Sequence, residues 1–356
     1  MTLPPTHPLR DGRTTDSAVV RAYCAERPER LPVWFMRQAG RSLPEYRAAR
    51  TGTAMLEACL RPDLAAELTV QPVRRHDVDA AIFFSDIVVP LHLAGVDVDI
   101  TPGVGPVLSA PVRTADDVAR LVAAGPLTAE ALAPISAGVG LAVAGLGSTP
   151  LLGFAGAPFT LAAYLVEGGP SRDHLAARTL MHADPRTWTA LVEWAADVTG
   201  AFLRAQVLAG ASAVQLFDSW AGSLSYADYV AHAAPASARA LSHVADLGVR
   251  VVHFGTGTGH LLTAMHDVGA DVVGVDYRTP LDEANTLLGG TVPLQGNIDP
   301  ALLAAPWPVL EAHVRDVVER GSAAPAHVVN LGHGVPPATD PDVLTRVVAL
   351  VHALGR

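Results

Sequence analysis

The chain has no lysine; all 25 of its basic residues are arginine. A Schiff base needs a lysine amine, so pyridoxal phosphate chemistry and lysine-dependent aldol chemistry are excluded. A phosphate-binding loop with its lysine is excluded as well. Cysteine is nearly as scarce. Cys24 and Cys59 are the only two, and thiols so spaced match neither a zinc motif nor a redox pair. Both are expected to be reduced. No histidines show His-Glu-x-x-His spacing, so no metal site is expected. Gly255-Thr256-Gly257-Thr258-Gly259-His260 comes close to a dinucleotide fingerprint, but histidine stands where its last glycine belongs. The segment reads as a tight turn, and no cofactor is expected.

Charge is sparse too. Charged residues make up 17% of the chain, with a formal net charge of −10. An acidic chain repels nucleic acid and anionic membranes, and neither is an expected partner. The first residues, MTLPPTHPLRDGRTTDS, lack an apolar signal segment, which predicts a cytoplasmic protein. Residues 131–166 carry no Asp, Glu, Lys, Arg or His. That is long enough to cross a bilayer. Repeated glycines and prolines interrupt the stretch, so a buried helix, a turn and a central strand are expected instead.

Hydrophobic residues account for 50% of the chain, ample for one large core. Eight short apolar runs have the character of strands covered on both faces: 32–36, 80–86, 151–156, 213–219, 249–255, 271–276, 292–298 and 327–333. Helical periodicity fills the gaps, at 186–210, 226–246, 259–268, 300–320 and 340–354. Strands alternating with helices imply parallel βαβ units, and eight of them predict one (β/α)₈ TIM barrel. No composition shift splits residues 1–356 into domains. Residues 1–31 are expected to pack outside the barrel as an N-terminal extension. Residues 88–113 alternate around glycines and prolines, which predicts an added hairpin after the second strand.

In such barrels chemistry sits at the carboxyl ends of the strands. The first run leads into Arg37-Gln38-Ala39-Gly40-Arg41. The second ends on Ser85-Asp86, the third leads towards Tyr164, the fourth ends on Asp218-Ser219 and the eighth on His333. Arg37 and Arg41 are four apart and share a face if the loop is helical. Two guanidiniums at a barrel mouth suit carboxylates. Asp86 follows a strongly apolar run, where a carboxylate either serves a ligand or caps a helix. Asp218 carries the same ambiguity.

The segments PVWFMRQAGRSLPEYR (32–47), FFSDIVVP (83–90), GFAGAPFTLAAYLVEGG (153–169), FDSWAG (217–222), VDYRTPLDEA (275–284), QGNIDP (295–300) and NLGHGVPP (330–337) together resemble the uroporphyrinogen decarboxylase family, in that family's order. Phe159 and Tyr277 stand where similar members often carry tryptophan. The resemblance implies a carboxy-lyase that turns the four acetates of uroporphyrinogen III into methyls, giving coproporphyrinogen III, in porphyrin and heme biosynthesis. It implies Asp86, Arg37 and Tyr164 as catalytic residues. Arg37, Gln38, Ala39, Gly40, Arg41, Asp86, Tyr164, Ser219 and His333 are the implied substrate-binding set. A homodimer is also implied. Two rivals share the fold. A zinc-dependent barrel methyltransferase needs cysteine and histidine ligands that Cys24 and Cys59 do not supply. A non-catalytic tetrapyrrole binder would have lost some of Arg37, Arg41, Asp86, Tyr164, Ser219 and His333, and all six are present.

Overall fold

A computed structural model describes residues 2–355. The strands are β1 (Ala81–Ile82), β2 (Val98–Thr101), β3 (Gly105–Leu108), β4 (Leu151–Gly156), β5 (Ala213–Asp218), β6 (Arg250–Gly255), β7 (Val272–Gly274), β8 (Leu294–Gln295) and β9 (His327–Val328). Seven of them form one curled sheet in the order β1-β4-β5-β6-β7-β8-β9, parallel at every pairing. Helices alternate with these strands, so the fold is α/β and TIM-barrel-like.

The first apolar run, 32–36, lies between the two edges of this sheet. Trp34 N–H donates to Val329 O (3.2 Å), Val329 N–H to Pro32 O (2.8 Å), and Asp79 N–H to Val33 O (2.8 Å). Val33 and Val329 form a single parallel bridge. The ladder stays short for a local reason. The Val33 N–H is taken by the Asp79 carboxylate at 2.8 Å, and the same carboxylate meets His352 and Arg30.

Side chains alternate across each strand. Gln215 of β5 points inward, where its amide oxygen accepts from Gln295 Nε2 (2.9 Å). Tyr23 reaches the same network and donates to Gln295 Oε1 (2.5 Å). The expectation that residues 1–31 pack outside the barrel therefore needs correcting. Helix Ala18–Tyr23 sends a fully buried phenol into the core, because two inward glutamines need a polar partner there.

Two other expectations change. Val89–Leu93, inside the run read as alternating, is a short helix with Pro90 in its first turn, a position where proline is tolerated. Beyond it β2 and β3 pair antiparallel. Residues 129–146 are helical, but this helix is not buried throughout. It is apolar and long enough to cross a membrane by length and composition, and 33% of it is buried. Leu132, Ile135, Val139 and Ala142 face helix Pro62–His76, while the outward side is mostly alanine and glycine. Small side chains expose little apolar area each, so hydropathy overstated the burial.

Candidate active site

Arg37 is the hub of the candidate site. It follows the 32–36 segment and takes the left-handed conformation (φ 59°), which is strained for a residue with a Cβ. Its loop is held from below. Gln38 is fully buried, accepts from Phe35 N–H (3.0 Å) and donates to Ala80 O (3.0 Å). Asn330 Oδ1 accepts from Met36 N–H (2.9 Å), and Val335 N–H donates to Met36 O (2.9 Å). These bonds tie the Arg37 loop to the His333 loop. Gly334 completes the fit: a Cβ there would lie 2.4 Å from Arg37 Cδ and 3.1 Å from its Cβ.

Asp86, Tyr164 and His333 all feel the Arg37 charge. Burial pushes the Asp86 carboxyl above the ordinary carboxylate range, and the Val88 N–H and Arg37 partly oppose it. Burial and the Asp86 charge push the Tyr164 phenol up to about 12, while Arg37 pulls it down. Burial, then Arg37 and Arg278, lower His333 below its usual value, so its ring is neutral at pH 7. The arginine loop, the segment after β1, helix Pro158–Glu167 and the His333 loop, far apart in sequence, thus share one electrostatic cluster. Asp86 is also a turn residue: its Oδ1 accepts from Val88 N–H (3.1 Å) at the entry to helix Val89–Leu93.

The rest of the arginine loop behaves differently. Residues 37–43 form turns, and the helix starts only at Pro44. The helical face that would have aligned Arg37 with Arg41 therefore does not form. Arg41 is exposed and no hydrogen bond or ion pair joins its side chain to another described residue. Ala39 and Gly40 are half-buried. The amide of Gln38 is spent on backbone.

Ser219 and Trp220 open onto a cleft of about 510 Å³. Trp220 stacks on Tyr164, with centroids 3.8 Å apart at 25°, and on His174, 4.2 Å apart at 17°. Two rings that close cannot share one face of an indole, so Trp220 is sandwiched between them. Asp218 settles its ambiguity by pointing the other way. It is fully buried, accepts from Thr160 Oγ1 (2.7 Å), and Thr160 Oγ1 in turn accepts from Trp220 N–H (3.2 Å). Burial pushes the Asp218 carboxyl up to about 7. His253, 3.9 Å from Asp218 and equally buried, is pushed down to about 4. Phe154, Phe217 and Phe254 sit on the inward side of the same strands, packed edge to face at 5.4 and 5.9 Å.

Sequence reasoning missed Thr160 and His174, and it placed Asp276 at the end of the sixth run without giving it a role. Asp276 accepts from Gly257 N–H (2.6 Å) and from Arg278 Nη1 (2.5 Å), and so pins the glycine-rich turn. Its place at the end of β7 was the available signal. Sequence spacing also could not reveal His182, Asp228 and His232, whose donor atoms lie within 4.8 Å of one another. They belong to helices Leu175–Ala183 and Tyr226–His232. Cys24 is exposed and Cys59 buried, both as free thiols.

A family model described as uroporphyrinogen decarboxylase matches residues 14–354. The uroporphyrinogen decarboxylase of Arthrobacter sp. (strain FB24) is 72% identical over 345 residues, which cover 97% of this chain and 99% of the relative. That of Leifsonia xyli subsp. xyli is 66% identical over 368 residues, covering 98% of each. Among solved structures, a methyltransferase from Methanosarcina mazei superposes with a TM-score of 0.79 at 18% identity, over 96% of this chain and 99% of that one. At that identity the likeness concerns the fold alone.

Proposed function

The chain belongs to the uroporphyrinogen decarboxylase family and is a carboxy-lyase of porphyrin and heme biosynthesis, and from that premise we propose that the Arg37–Asp86–Tyr164–His333 cluster is its active site. The substrate is uroporphyrinogen III, and each of its four acetates becomes a methyl. Decarboxylation must put the electrons of a carbon–carbon bond somewhere. A pyrrole protonated on a ring carbon accepts them, so the substrate supplies its own electron sink. Carbon dioxide leaves, the exocyclic methylene takes a proton to become methyl, and the ring proton is lost.

The observation that carries this reading is Asp86. It is a carboxylate coupled to Arg37 and Tyr164 and held by a backbone N–H of its own turn. It accepts hydrogen bonds from the pyrrole N–H groups and stabilises the cation that forms beside it. Arg37, Arg41 and His333 hold carboxylate arms. Tyr164 keeps its proton at neutral pH, and with Ser219 it adds hydrogen bonds. Gln38, Ala39 and Gly40 contribute by shaping the arginine loop.

The direct test is turnover of anaerobically reduced uroporphyrinogen III by chelator-treated protein without nucleotide. Coproporphyrinogen III should accumulate, with one carbon dioxide released per acetate. A requirement for metal or pyridoxal phosphate would sink the mechanism.

Residues 32–36 count as an eighth stave, since backbone bonds join them to both edges of the sheet. Residues 1–356 then make one domain, with Met1 and Arg356 outside the described residues. The β2–β3 pair is its added hairpin, and the protein acts in the cytoplasm as a homodimer without membrane or nucleic-acid partners.

A further inference from the structure

The cleft beside Ser219 has a second wall that the proposed chemistry leaves unused. It consists of the segment Ser171–His174 and Arg178 on the next helix. His174 is 4% exposed, adopts the left-handed conformation (φ 50°), and stacks on the side of Trp220 opposite Tyr164. Among the described residues, neither its buried Nδ1 nor the buried Arg178 Nε has a hydrogen-bond partner. No ion pair engages the side chain of Arg172 or Arg178 among the described residues.

Buried donors without partners are unfavourable unless something else satisfies them. Here two guanidiniums and an imidazole line one cleft with the Ser219 hydroxyl. Two nearby hydroxyls donate elsewhere: Thr256 to Ser219 O (2.6 Å) and Ser223 to Trp220 O (2.8 Å). Opposing charge is limited. Asp173 lines the cleft, and Glu167 accepts from Ala177 N–H (3.0 Å). The complement of such a wall is a carboxylate, for which an arginine fork is well shaped.

We propose that Arg172, Arg178 and His174 form a second carboxylate-binding subsite, which takes carboxylate arms of the tetrapyrrole that project past Trp220, away from Asp86. This rests on the function proposed above. The sandwich then works as a partition. Tyr164 faces the reacting ring, and His174 faces the arms of a ring that is not reacting. A substrate that presents four acetates in turn must be held in several orientations, and a second set of cations holds it in each.

The experiment compares the parent protein with Arg178→Ala and with Arg172→Ala/Arg178→Ala. Arg315→Ala, on helix Trp307–Gly321, controls for loss of one positive charge. KM and kcat are measured with uroporphyrinogen III. Binding of the octacarboxylate uroporphyrin is measured separately by equilibrium dialysis, which needs no turnover. The double variant should raise both KM and Kd by roughly 10-fold or more, with kcat within about 2-fold and an unchanged melting temperature. Arg178→Lys should recover part of the loss, and Arg315→Ala should match the parent. Unchanged KM and Kd in the folded double variant overturn the subsite. A parent that binds uroporphyrin but releases no carbon dioxide from uroporphyrinogen sinks the function proposed above, while the Kd comparison still decides the subsite.

Discussion

The Asp86 carboxylate closes its own turn through the Val88 N–H and carries a charge beside Arg37 and Tyr164. Asp86→Asn separates these two duties. The amide oxygen can still accept from Val88, so the turn and the fold should survive. Only the charge is lost, and with it stabilisation felt mainly in the transition state. Turnover should fall by roughly 10²-fold or more; near-normal turnover in a well-folded Asn variant would falsify the electrostatic role. A pH profile adds a second check. The Asp86 pKa lies above the ordinary carboxylate range, so activity that needs the anion is lost, as pH falls, earlier than for an exposed aspartate of about 3.9. Among the described residues none partners the Arg41 side chain, so Arg41→Ala should raise KM and leave kcat nearly intact. A collapsed kcat at constant KM would reverse that assignment.

Within the strand-end segments, alternation decides which neighbour does what. Phe217 and Ser219 face inward and to the cleft, while Asp218 between them faces the helix layer and braces Thr160. The sequence alone left Asp218 and Asp86 equivalent, because each ends an apolar run; only the pleat and the helix it meets tell them apart. The buried Asp218 carboxyl titrates near 7 in the fold and near 4 in the unfolded chain. Between those values the native state holds the proton and the unfolded state does not. This group's contribution is therefore full below about pH 4 and declines as pH rises to about 7. Asp218→Asn keeps an acceptor for Thr160 and has no charge to bury. Its melting temperature should be nearest the parent's at about pH 4 and should exceed it by a growing margin up to pH 8. A constant difference across that range would argue against the raised pKa. The glycines around His333 divide in the same way. A Cβ on Gly332 would lie 2.2 Å from the Tyr277 backbone nitrogen, whereas the nearest atoms to one on Gly334 belong to the Arg37 side chain. Gly332→Ala should lower the melting temperature. Gly334→Ala should leave it nearly unchanged and impair catalysis by displacing Arg37.

For the molecule as a whole, the barrel-like sheet was legible because β4, β5 and β6 are mostly apolar and covered on both faces, so burial and sequence carry the same message. It was less legible where function or closure intervened. The 32–36 stave pairs through one bridge because Asp79 takes the Val33 amide. Tyr23 enters the core to satisfy glutamines that no local pattern reveals. Of the proposed site, Arg37, Asp86, Ser219 and His333 were legible from their places at or just past apolar runs, whereas Tyr164, inside helix Pro158–Glu167, was legible only through the family resemblance. The wall of Arg172, His174 and Arg178 was not, since it follows a helix rather than a strand and converges only in three dimensions. One feature of the folded chain also gives it an optical handle. Of its five tryptophans, Trp34 and Trp188 are fully buried, Trp194 is nearly so, and Trp307 lies under Arg346 at 3.8 Å. Trp220 is the described indole with an aromatic ring flat against each face. Its excited state couples to a phenol on one side and an imidazole on the other. The emission of this single residue therefore registers any event that parts the stack or protonates His174, against a background of four tryptophans in settings that the cleft does not touch.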